Sequence, residues 1–145
     1  MRRIPFAAFL LARVAPERTV RWFRRHAERG DAMGQYFLGC MYAEGQGVPQ
    51  DDAEAAKWFH KAAMQGNPFA QLNLGIMRAK GEGGPEDYIA AYLWLHWAAF
   101  GFTSRRNQHK AIECRDAVRS LMTPAQVAEM QRVAREPGSQ SARVW

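Results

Sequence analysis

Histidines, cysteines, arginines and glycine-rich turns are the residues of this 145-residue chain whose types and spacing could do chemistry. His60 and His96 stand 36 positions apart, which invites paired metal ligation or acid–base catalysis. If the spacing is that of a stacked helical repeat, however, equivalent side chains are separated by a packed layer of about 10 Å, too far to share one metal. His26 falls where the later copies carry Ala62 and Ala98, so it reads as a space filler at the end of an array. Cys40 and Cys114 form no CxxC pair and have no histidine at ligand spacing, so neither structural zinc nor a disulfide framework is expected. The chain lacks GxSxG, HExxH and a phosphate-binding loop after a strand, and Gly45-Gln46-Gly47 and Gly81-Glu82-Gly83-Gly84 read as turns. No catalytic residue, metal or cofactor is expected, and the chain reads as a non-enzyme.

Charge offers a second chemistry. Arg18, Arg21, Arg25 and Arg29 form a basic stripe along one helical face, opposite Trp22 and Phe23, and could meet phosphates or anionic lipid. The bland alternative is a solvated helix face. The net charge of +6 divides into +6 over residues 1–30, −4 over 31–102 and +4 over 103–145, so the ends could equally complement the middle. No nucleic-acid motif accompanies the stripe, and no nucleic-acid partner is expected. No apolar run approaches the roughly 18 residues of a membrane span. Residues 1–13 resemble a secretory signal, yet Pro5 interrupts the apolar run and Arg13 sits where cleavage would want a small residue. A short amphipathic capping helix in a cytoplasmic protein is expected, with a periplasmic or secreted location as the alternative if this segment is cleaved.

These residues are positioned by an internal repeat. Laying residues 31–66 on 67–102 gives 14 identities, among them Gln35/Gln71, Gly39/Gly75, Gly47/Gly83, Asp51/Asp87, Trp58/Trp94 and Ala63/Ala99. A partial earlier copy aligns Trp22, Phe23 and Ala27 with Trp58, Phe59 and Ala63. Each copy reads as two antiparallel helices. Asp31 starts the first helix and Gly45 stops it, while Asp51 caps the second with Glu54 placed for a capping box. Asn67-Pro68, Gly81 and Asp87 repeat the plan. Ala55, Trp58, Phe59, Ala62 and Ala63 share one face, and Gly39 and Gly75 imply tight helix crossings. Trp58 and Trp94 are expected to be mostly buried between layers. Later, Thr123-Pro124-Ala125-Gln126 starts a final helix with a capping box, which Glu136-Pro137-Gly138 stops.

The residues Leu38-Gly39, Tyr42, Gly45-Gln46-Gly47-Val48-Pro49, Lys57-Trp58-Phe59, Lys61-Ala62-Ala63 and Gln65-Gly66 resemble the Sel-one-like repeat (SLR), a relative of the tetratricopeptide repeat. The second copy departs from the pattern, with Arg78 for Tyr42 and Gly84 for Val48. The expected fold is all-α, a short right-handed α-solenoid. Its parts are an N-terminal helical segment over 1–30, repeats over 31–66 and 67–102, capping helices over 103–136 and a loose tail over 137–145. The resemblance implies an interaction scaffold or adaptor that binds an unknown protein or peptide. Electrostatic binding through the arginine stripe is the alternative. A hydrolase of the cysteine-rich type that the family also contains is disfavoured, because Cys40 aligns with Ile76.

Two surfaces follow. First helices of stacked pairs line the concave side, and the positions outside the signature are Met33, Phe37, Cys40 and Glu44 on one copy and Phe69, Asn73, Ile76 and Lys80 on the next. These are the candidate binding residues, with packing of Met33 and Phe37 on the N-terminal segment as the alternative. Leu93 and Trp97 replace Lys57 and Lys61, leaving a helix apolar nearly all round. The helix over 104–121 is expected to cover it with Ala111, Cys114, Val118 and Leu121; otherwise the face forms a homodimer.

Overall fold

The computed structural model describes residues 16–136, so the signal-like segment and the tail over 137–145 lie outside the described residues. Seven helices follow one another: α1 (Pro16–Glu28), α2 (Ala32–Glu44), α3 (Asp52–Met64), α4 (Pro68–Lys80), α5 (Tyr88–Gly101), α6 (Arg105–Leu121) and α7 (Pro124–Arg135). Each helix from α1 to α5 packs on its successor, and α7 returns to pack on α5. Among the described residues there is no strand.

The helix boundaries follow local chemistry. The Asp31, Asp51, Asn67 and Asp87 side chains accept from the backbone N–H of Gly34, Glu54, Ala70 and Ala90 at 3.0 to 3.2 Å. Gly45 and Gly81 close α2 and α4 in the left-handed conformation. The Thr123–Gln126 capping box is complete. The one expected around Asp51 is half made: the Glu54 carboxylate turns outward to Lys57 Nζ at 2.6 Å.

The repeat signature is a docking device. Gly47 and Gly83 sit at φ +73° and +72°, which glycine alone adopts at little cost. A Cβ on Gly47 would lie 2.6 Å from the Pro16 carbonyl oxygen, and one on Gly83 would strike the Asp52 carbonyl. Each turn therefore rests on the start of the preceding repeat's second helix. Gly39 and Gly75 serve the crossing within a repeat, where an added Cβ would meet the Phe59 ring at 2.8 Å or Leu95 Cγ at 2.7 Å. Gln35 and Gln71, both buried, donate from Nε2 to the carbonyls of Ala27 and Ala63 at 3.2 Å. Those carbonyls end α1 and α3, where each also accepts from the backbone N–H of Gly30 or Gly66, and the glutamine is a further donor. The departures in the second copy belong together: Arg78 lies over Gly84, and a Cβ there would sit 2.7 Å from a guanidinium nitrogen. The missing side chain makes room for the larger one.

Burial corrects two expectations. Trp94 is 1% exposed, edge-on to Trp97 at 5.2 Å, whereas its equivalent Trp58 is only half-buried, with Lys61 Nζ 4.5 Å from its ring centre. The apolar α5 is covered from two sides. Ala111 and Val118 of α6 join Leu95, Ala98 and Phe102, while Met130 and Val133 of α7 join Leu93 and Trp94, with Trp97 at the margin. The covering of Leu93 and Trp97 thus comes from the last helix rather than from α6. Leu121 is 61% exposed and Cys114 half-buried, so the α6 stripe is shorter than expected.

Candidate functional site

Side chains of α4 at positions 69, 72, 73, 76 and 80 recur on one face, and the array leaves that face partly open. With α6 opposite and Tyr36 of α2 at one end, they enclose a groove of about 700 Å3. Phe69, Leu72, Ile76 and Tyr36 give it an apolar floor, with Asn73 among them. Arg106, Asn107, His109, Lys110 and Glu113 of α6, with Lys80 and Glu82, form a charged rim. Phe69 is held edge-on against Phe102 at 5.0 Å and tilted against Tyr36 at 5.8 Å, so the anchor is rigid although 37% exposed.

The rim is unevenly neutralised. Glu113 pairs with His109 Nε2 at 3.1 Å and Glu82 lies 4.0 Å from Lys80 Nζ. Arg106 and Lys110, one turn apart on α6, pair with no carboxylate among the described residues. Burial pushes the Tyr36 hydroxyl above its usual range, helped by the neighbouring Cys40, so it stays protonated. Asn73, 9% exposed, lies beside that hydroxyl.

Of the eight residues picked from the sequence, the second-copy set Phe69, Asn73, Ile76 and Lys80 all line the groove. The first-copy set does not. Phe37 is buried with its ring 5.0 Å from Phe23, and Cys40 is wholly buried in the same cluster. Met33 is 42% exposed, but its sulfur receives Asn67 Nδ2 at 3.1 Å, and Glu44 is exposed at the far end of α2. On this side α1 occupies the space that α4 leaves open. The residues that sequence reasoning missed are Tyr36, Leu72, Glu82 and the α6 group. Continuing the 36-residue register beyond Phe102 places Ala111 on Gly39 and Gly75, but of the rim residues it reaches only His109, the equivalent of Asn73.

The other candidates resolve into packing or surface. Arg18, Arg21 and Arg25 on α1 and Arg29 just beyond it are all exposed, whereas Arg24 turns inward and donates to the Tyr42 hydroxyl at 2.6 Å. Arg24, His60 and His96 are repeat equivalents, and each meets the next first helix. His60 lies edge-on to Trp94 at 6.0 Å; burial, with Arg78 nearby, lowers its pKa to about 4. His96 is lowered in the same way, by burial and then by Arg115, whose guanidinium is 3.5 Å from Nδ1. His26 is half-buried, its ring 4.1 Å from that of Trp22. Among the described residues no three acidic, histidine or cysteine groups cluster to hold a metal, and no helix is long and apolar enough to cross a membrane.

Comparison with known proteins agrees with this architecture. A protective antigen present in uropathogenic Escherichia coli strains, c5321, which displays an SLR fold, superposes with a TM-score of 0.76 at 29% identity. The match covers 86% of this chain and 27% of the antigen. A Sel1 repeat protein from Oxalobacter formigenes superposes with a TM-score of 0.59 at 23% identity, over 80% of this chain and 54% of that one. The chain thus spans about a quarter and about half of these two structures. No curated protein matches it in sequence. The Sel1 repeat sequence model matches residues 7–31, 32–67 and 68–99, so the partial first copy counts as a repeat, and the chain, an all-α right-handed solenoid, belongs to the Sel1 repeat family.

Proposed function

We propose that this protein is a non-catalytic interaction scaffold that holds a segment of another protein in the groove between α4 and α6. Sel1 repeat proteins generally serve as protein-interaction scaffolds. The observation that carries the reading to this site is the open α4 face, where rigid apolar anchors lie beside polar groups that specify orientation. The test is affinity capture from the source cell, comparing the wild type with Phe69→Asp. Phe69→Asp gives up its ring contacts with Phe102 and Tyr36, so capture is run well below the variant's melting temperature. Loss of specific partners from a variant that still unfolds cooperatively is expected; an unchanged partner set would move the binding surface elsewhere.

The exposed Arg18, Arg21, Arg25 and Arg29 favour a second reading, in which α1 meets an anionic surface such as nucleic acid or lipid. Charge-driven binding of that kind weakens steeply with salt, whereas capture on an apolar floor does not. A homodimer through Leu93 and Trp97 is not part of the proposal, since α7 packs there. A cytoplasmic location completes the proposal, to be checked by fractionating cells that express the full chain.

A further inference from the structure

We propose, resting on the groove as the binding site, that its ligand is an acidic segment, in which an apolar side chain is followed by a carboxylate. The charges on the groove's rim point to this chemistry. Arg106 and Lys110 lie one turn apart on the rim with no carboxylate among the described residues, while the rim's own acids, Glu82 and Glu113, lie near Lys80 and His109. An incoming carboxylate therefore meets two cations whose charge is not spent internally. A basic segment would have to displace existing pairs. Phe69 and Ile76 on the apolar floor take the apolar side chain. The cations come from α6, which lies beyond the matched repeats, so this preference belongs to this chain and is not carried by the repeat signature.

The test uses two pools of fluorescein-labelled octapeptides that share central Leu and Phe positions and carry a benzophenone. One pool has Asp and Glu at the flanking positions, the other Asn and Gln. At physiological salt the full-length protein should bind the acidic pool about tenfold more tightly, since each rim-exposed pair is worth up to about fivefold. Arg106→Glu with Lys110→Glu, both exposed and on the surface, should remove or reverse that preference. Cross-linked peptide should map to residues 69–80 and 105–113. Adducts confined to other segments overturn the groove as the site. Adducts in the groove with equal affinity for the two pools, or an acidic preference that survives the double charge reversal, overturn the acidic ligand and leave the groove standing. Failure of both pools to bind overturns the inference.

Discussion

Trp22, Trp58 and Trp94 occupy one register of three successive copies, and truncating each to alanine should give three different costs. Trp94 is 1% exposed, and a tryptophan that buries 150 to 250 Å2 loses about 4–6 kcal/mol by area, close to the roughly 3–5 kcal/mol typical of such truncations. Its edge-on contacts with Trp97 and His60 place it at the upper end. Trp22 is 58% exposed, so less than half of that area is at stake, and the same arithmetic caps its loss at about 2.5 kcal/mol. Trp58 falls between, because Lys61 rather than a packed layer covers its outer face, a contact worth about 0.5–1 kcal/mol. The assay is urea unfolding of the three single variants followed by far-ultraviolet circular dichroism. The expected order is Trp94 far above Trp58, and Trp58 above Trp22. Equal costs at all three positions, or a larger cost at Trp58 than at Trp94, would refute the layered burial deduced here.

Three other outcomes can be checked on the same preparations. Gly75→Ala should lower the melting temperature despite alanine's helix propensity, because the new Cβ would sit 2.7 Å from Leu95 Cγ and overpacking costs about 1–3 kcal/mol; a stabilised variant would mean the crossing is looser. The unfolded chain binds a proton at the ordinary histidine pKa, whereas folded His60 does so only near 4. Stability should therefore fall as pH drops from about 6.5 toward 4, by about 1–2 kcal/mol at pH 5 once partial exposure is allowed for. His60→Gln should flatten that part of the urea-midpoint profile, and an unflattened profile would place the titration elsewhere. Ending the chain after Phe102 removes α6 and α7 and bares Leu93, Leu95 and Ala98, so light scattering should show aggregation; a soluble monomer would contradict the covering role of the last two helices.

How legible the site was depended on what each residue needed from its neighbours. Helix starts at Asp31, Asp51, Asn67 and Asp87 were readable because a cap is satisfied within three residues. Gly39 and Gly75 were readable because a costly residue recurs in register. Exposure was not, because it is set by position in the array. Phe37 and Asn73 are equivalents, yet Phe37 packs on Phe23 while Asn73 faces the groove. Trp58 and Trp94 differ for the same reason, since only Trp94 has α7 packed on its helix. The α6 rim stayed hidden because, apart from His109, its residues fall off the register of the candidate positions. Glu54 shows a local limit, where Lys57 outcompeted the cap for its carboxylate.

The central claim, that the open α4 face is where this scaffold takes its partner, is tested most directly by site-specific photo-crosslinking in the source cell. A photoreactive amino acid would replace Lys80 on the groove in one variant and Arg21 on the arginine stripe in another, both being exposed. The account predicts a discrete protein adduct from position 80 and none of comparable yield from position 21. Adducts from position 21 alone, whether to protein, nucleic acid or lipid, would contradict it.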